Sequence, residues 1–348
     1  MNYEATAEER KSCKPNRVSS TDALKQGMGT GYDINMVFAA LVDAAGMNAR
    51  IALTGNREEI FFNETYTDPY FLRGEMVAVK LGGEWKYFDP ATPWLACGAQ
   101  VWGQQGGAAP ITDDKAPEWS KVPQSKPQDS VEWHKAQFKL DGDGGISGNV
   151  LLRYTGHLAL SERNSLARKS PAEREQYLID DLKQQFGNPE VSEIKWENVE
   201  DAEKPLAVSF HIQIPNYVQR TGKRIFLQPA IFQHNLAARF PTTERRYPVY
   251  FHYPWSELDE ITVEVPEGYE FDHADIPPPV EAGKTVGWKV RAQVEGGKKL
   301  IYERTFQFGE DGNIVFPVKS YPAVKKVFDT MHEGDEHTFA LKQKVAAQ

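Results

Sequence analysis

The sequence predicts an α+β protein built in two parts, and three observations carry that reading. A glycine-led apolar stretch, Gly27 to Leu53, reads as a helix running into a strand. A Pro/Gly-rich run over 103–130 has no hydrophobic periodicity and reads as a linker. Beyond it, strands and helices are grouped rather than alternating, which favours α+β over a doubly wound sheet. At 348 residues the chain is long for one domain. The boundary is placed near 128, giving parts 1–127 and 128–348, with a possible sub-boundary near 240.

In the first part, Thr21 to Gln26 forms a short helix closed by Gly27. Ile34 to Ala45 is apolar on nearly every side, broken only by Asn35 and Asp43, so it predicts a buried helix. Gly46 stands where a left-handed cap is common. A strand comes next over Ala49–Thr54. Residues 55–75 form a long polar and aromatic loop. Ile60, Phe61, Phe62, Tyr66, Tyr70 and Phe71 are expected to fold back onto the core, with the lining of a groove as the alternative. Met76–Leu81 and Glu84–Asp89 pair about Gly82-Gly83, and Phe88-Asp89-Pro90 leaves the sheet.

The second part opens with two strands, Trp133–Leu140 and Ile146–Thr155, joined by Asp141-Gly-Asp-Gly-Gly. Two helices come next. The second starts on Ser170-Pro171-Ala172-Glu173, a capping box with Pro at the first helical position, carries Leu178, Leu182 and Phe186 on one face, and stops at Gly187. Strands are expected over 190–198, 205–214, 258–266, 285–295, 298–308 and 313–318. A last helix begins at Pro322 and stacks Val324, Val327, Phe328 and Met331.

Net charge is −9, spread without long runs, which argues against nucleic acid as a partner. No apolar run approaches the roughly 20 residues of a membrane-spanning helix. Residues 1–20 are polar, carry no secretory signal and read as a cut start. Cys13 and Cys97, the two cysteines, have no framework spacing and are not expected to pair.

The order of apolar helix, strand and hairpin ending in Asp-Pro resembles the core of the transglutaminase-like superfamily, the papain-related cysteine enzymes. There a Cys opens the buried helix, a His starts one strand and an Asp ends the next. Registered on that pattern, Gly31 takes the Cys place, Gly74 (or at best Glu75) the His place, and Asp89 alone is retained. All eight histidines lie at or after His134, and neither cysteine begins the helix. The segments 217–224 and 247–250 resemble the region downstream of this core in a family of bacterial envelope proteins. In that subgroup Gly-Tyr-Asp-Ile-Asn, as at 31–35, replaces the Cys-containing motif. The resemblance implies a transglutaminase-like (papain-like) core followed by a mostly β, sandwich-like domain with inserted helices. It also implies a catalytically inactive protein of the periplasm or envelope that binds or scaffolds an extended peptide, a protein or a glycan.

The binding candidates are Tyr32, Asp33, Glu75, Asp89, Trp94 and Trp102. Glycines at 31 and 74 are expected to leave a slot walled by these aromatics. Two alternatives use the same region: a hydrolase built on the carboxylates Asp33, Glu75 and Asp89, and residual thiol chemistry at Cys97. For Asp33 the plainer role is capping the helix. No cofactor or metal site is expected. Asp141-Gly-Asp-Gly-Gly lacks the further ligands of a calcium loop and reads as a turn. Asn63-Glu64-Thr65 fits a glycosylation sequon. Thr221-Gly-Lys-Arg224 lacks the glycine frame of a phosphate loop. Arg245-Arg246 reads as solvated edge charge, and Gly334 is expected to break the last helix between His332 and His337.

Overall fold

The computed structural model describes residues 20–65, 68–113, 115 and 118–344, together with residues 6, 8 and 11. Cys13 and Tyr66 lie outside the described residues, and with them any pairing of Cys13. Contacts divide the chain into two units, Met1–Ser125 and Lys126–Gln348. Both mix helix and sheet, with sheet predominant.

The first unit runs α1 (Ser20–Gln26), α2 (Gly31–Ala44), β1 (Asn48–Thr54), β2 (Gly74–Leu81), β3 (Glu84–Phe88), β4 (Ala108–Ile111) and β5 (Glu118–Lys121). A capping box starts α2. The Thr30 hydroxyl accepts from the Asp33 amide at 3.3 Å, and Asp33 Oδ2 accepts from the Thr30 amide at 2.8 Å. Gly29 allows that closeness, because a Cβ there would sit 2.6 Å from Asp33 Cβ. The helix is not buried all round. Ala39, Met36, Phe38 and Val42 pack on Ala49, Ile51, Val77 and Val79 of the sheet, while Leu41 on the far side is 56% exposed. Composition made that face look internal, whereas the helix has a sheet on one side only.

The sheet order is β3-β2-β1-β4-β5, antiparallel throughout. It coils far enough that Glu118 on the last strand reaches Lys80 of β2 at 3.8 Å. Its inner face closes on Ala52, Met76, Ala78, Tyr87, Ala109, Ile111 and Val122. Three of these lie in the stretch read as a linker, so that reading is corrected. Residues 108–111 and 118–121 are strands, with Pro110 opposite Trp119. Two of the loop aromatics also depart from expectation. Phe61 and Tyr70 stay largely exposed, and Tyr70 carries the Arg73 guanidinium 4.0 Å above its ring.

The second unit contains β6 (Val131–Leu140), β7 (Ile146–Tyr154), α3 (Gly156–Leu166), α4 (Pro171–Phe186), β8 (Glu190–Glu197), β9 (Leu206–Ile214), β10 (Gln219–Thr221) and β11 (Arg224–Leu227). It continues with β12 (Val249–Tyr250), β13 (Trp255–Glu264), β14 (Tyr269–His273), β15 (Val280–Ala282), β16 (Val286–Glu295), β17 (Lys299–Phe308), β18 (Val315–Phe316), α5 (Tyr321–Asp335) and β19 (Phe339–Gln343). Eight strands form one sheet, ordered β15-β16-β17-β13-β6-β7-β9-β8. A four-stranded sheet, β10-β11-β19-β14, shares its core along with α4 and α5. The arrangement is therefore sandwich-like at one end and helix-on-sheet at the other.

No sub-boundary is seen near 240. β6 pairs in parallel with β13 across that point, and Phe138, Phe240 and Phe308 belong to one core. Strand 313–318 shrinks to the two residues of β18. Gly334 does not break α5. The helix passes through it to Asp335, and the missing side chain admits the Trp288 indole, whose ring would lie 2.4 Å from a Cβ there.

Candidate functional site

In the first unit, Gly31 is the first helical residue of α2, followed by Tyr32 and the capping Asp33. A Cβ at Gly31 would meet only Ala91, at 3.5 Å, so that place has room for a side chain. Asn35, one turn further on, is 1% exposed and joins the helix to the sheet. Its Nδ2 donates to the Glu75 carbonyl at 3.3 Å and to Asp89 Oδ1 at 3.4 Å. The Thr92 hydroxyl donates to Asp89 Oδ2 in a short bond. Both oxygens of Asp89 are thus engaged, by an amide and a hydroxyl.

Gly74 opens β2 beside Glu75, but no slot exists there. A Cβ at Gly74 would fall 2.4 Å from Thr54 Oγ1 and 3.1 Å from Gln104 Nε2. Thr54 and Gln104 fill the space that the glycine reading assigned to a ligand. The slot expectation is therefore corrected at Gly74.

The structure brings Asp33, Glu75 and Asp89 into one electrostatic group. Burial, then the charges of Asp89 and Asp33, raise the Glu75 carboxyl above its ordinary range. Asp33 is committed to the helix N-terminus, since its Oδ2 also accepts the Thr30 hydroxyl at 2.8 Å. Tyr32 is 46% exposed. Trp94 is half-buried with φ +61°, an uncommon backbone state for a non-glycine residue. Trp102 lies in a short 3₁₀ turn whose carbonyl receives the Arg57 guanidinium. Cys97 is exposed. Among the described residues, no group of His, Cys, Asp and Glu is arranged to hold a metal ion.

The second unit holds a charged cluster that motif reading passed over. Arg304 is 3% exposed and grips Asp335 through two bonds, Nε to Oδ1 at 2.7 Å and an Nη to Oδ2 at 2.8 Å. Its other Nη donates to Glu257 at 2.8 Å, and the Trp288 indole donates to Asp335 at 3.1 Å. His134 lies between Asp259 (2.8 Å) and Glu132 (3.0 Å). Burial opposes its charge, but hydrogen bonds to Asp259 and Glu132 outweigh that and lift it to about 10. Glu257, Asp335 and Asp259 together hold Arg304 charged against burial. The sequence signal for this cluster is alternation: His134, Asp259 and Arg304 sit at inward positions of long strands where apolar residues are the rule.

Residues 223–341 match a family described as a domain of unknown function with a solved structure, DUF3858. No curated protein matches the chain. The crystal structure of a "putative protease" from Parabacteroides distasonis is similar, at 9% identity and a TM-score of 0.47, over 93% of this chain and 46% of that one. The present chain therefore spans about half the length of the structure it matches.

Proposed function

We propose that the first unit is a transglutaminase-like (papain-like) fold without thiol chemistry. It acts as a non-catalytic module that binds or scaffolds an extended peptide, a protein or a glycan in the bacterial cell envelope. The observation that carries this reading is Gly31 at the first position of α2, where the helix dipole would activate a thiol. In support, the Asp89 carboxylate, which would orient an imidazole, is spent on Asn35 and Thr92. A positioned general base is worth roughly 10²–10⁴-fold in rate, and the two places where this fold would carry nucleophile and base are Gly31 and Gly74.

The test is incubation with a fluorescent amine and a glutamine-donor peptide, and separately with casein. No incorporation and no cleavage are expected, with or without prior thiol alkylation. Turnover lost in Cys97→Ser would overturn the reading and install Cys97 as nucleophile. Peptide and glycan arrays then search for the ligand, and a signal on neither reduces the unit to a spacer. Fractionation of cells expressing the natural gene tests the envelope assignment.

One observation favours a second reading, a hydrolase working through carboxylates. Burial, then the neighbouring Asp89 and Asp33, raise the Glu75 pKa in the direction that a proton donor needs. Glu75→Gln with Asp89→Asn separates the two. It leaves ligand affinity nearly unchanged under the binding reading and abolishes turnover under the rival.

A further inference from the structure

A cavity of about 210 Å³ opens in the second unit between the eight-stranded sheet, α5 and the 231–239 loop. Its floor is Arg304, Asp335, Glu257 and His134, each charge facing an opposite one. Its rim is different. Arg239 lies with its guanidinium 4.9 Å over the Trp255 ring and 5.7 Å over Phe328, and makes no hydrogen bond or ion pair with any described residue. Stacking of this kind fixes the plane of the fork while leaving its N–H edge open for a carboxylate.

Two of the residues lining the cavity have unspent acceptors. Gln233 Oε1 is buried with no hydrogen-bond partner. Glu132 uses one oxygen on His134 and makes no hydrogen bond through the other among the described residues. A buried acceptor left unpaired is unfavourable, and a donor in the cavity relieves it.

Charge decides what kind of donor. Charged groups of both signs line the cavity, Glu132, Glu257 and Asp335 with His134, Arg239 and Arg304. A simple anion meets Glu132 and Glu257 once it reaches Arg239, and a simple cation meets Arg239 and Arg304. A molecule with both charges and no net charge satisfies both edges. Phe232, Leu236, Phe306 and Met331 supply apolar wall for a side chain.

We propose that this cavity binds a free amino acid, its carboxylate on Arg239 and its ammonium on Glu132 and Gln233. The site is independent of the first unit, so its fate and that of the peptide- or glycan-binding reading are separable.

The experiment is calorimetric titration of the full chain with glycine, alanine, leucine and phenylalanine. Leucinamide, which lacks the carboxylate, and 4-methylpentanoate, which lacks the amine, serve as half-ligands. At least one amino acid is expected to bind, with each half-ligand at least about tenfold weaker, the loss of one charged contact. Arg239→Met is expected to weaken binding at least about tenfold and Arg239→Lys to restore only part, because an ammonium lacks the planar fork. Arg239 lies over Phe251, Trp255 and Phe328, so a thermal scan checks that each variant is fully folded at the temperature of the titration. The proposal is overturned if no amino acid binds more tightly than about 10 mM, if a half-ligand matches the whole, or if Arg239→Met binds as the parent does. The cavity is then a solvent-filled gap above a structural charge cluster.

Discussion

Restoring the missing catalytic atoms one at a time tests the reading of the first unit most directly, because the two places differ in space. Gly31→Cys puts a Cβ 3.5 Å from Ala91, an ordinary contact, and replaces a glycine in the first turn of a helix. It should cost nothing and can add up to about 1 kcal/mol by restricting the unfolded chain. Gly74→His is the opposite case. Its Cβ alone would lie 2.4 Å from Thr54 Oγ1 and 3.1 Å from Gln104 Nε2, and Thr54 is 1% exposed with no open side to move toward. Overpacking of that kind costs about 1–3 kcal/mol. At about 4 °C per kcal/mol for a unit of this size, the melting point should fall by roughly 4–12 °C. Thr54→Ala removes the obstructing oxygen, so Gly74→His combined with Thr54→Ala should regain a substantial part of the loss, a coupling that a double-mutant cycle reads directly. The assay is thermal unfolding of the five variants (Gly31→Cys, Gly74→His, Thr54→Ala, Gly74→His with Thr54→Ala, and Gly31→Cys with Gly74→His), followed by amine incorporation in the last. The expected outcome is an inactive double variant destabilised by the histidine alone. A Gly74→His protein that melts with the parent, or a double variant that turns over, refutes the argument that Thr54 and Gln104 have closed the histidine place.

Three further outcomes are expected. Arg304→Met strands Asp335, Asp259 and Glu257 without their cation, and breaking a buried ion pair from one side costs about 3–5 kcal/mol; urea unfolding should show a lowered midpoint. His134 sits above the ordinary imidazole range at about 10, so its stabilising contribution is complete below pH 6.5 and lost as pH rises toward 10; the urea midpoint should fall across that window, and His134→Gln should flatten the slope. Asn35→Leu removes the bridge from α2 to the Glu75 carbonyl and to Asp89 and leaves a buried carboxylate short of a donor, a loss of about 1–3 kcal/mol measurable by thermal melt.

Local signals carried much of this protein. The Thr30–Asp33 and Ser170–Glu173 capping boxes, the Gly82-Gly83 turn and the alternation of β6, β7, β16 and β17 are all set within a few residues of themselves. The absence of a cysteine at the head of α2, and of any histidine before His134, is likewise read directly from the sequence, since the fold cannot change which residue stands at a given position.

Tertiary structure decided the rest, because the energy there comes from partners far away in the chain. β4 contains Pro110, both strands lie in a Pro- and Gly-rich stretch, and they exist as strands only because β1 offers an edge and Ile111 and Val122 find a core. β19 is five residues sandwiched between β11 and β14, more than 60 residues upstream. Gly334, a helix breaker by propensity, is kept helical by the indole that fills its missing side chain. Thr54 closing the space beside Gly74, and Arg304 gathering Glu257, Asp259 and Asp335 around one guanidinium, are contacts between strands and helices that no window of the sequence contains. Short-range preference chooses the elements, and burial of apolar surface and matching of buried charge choose which of them meet.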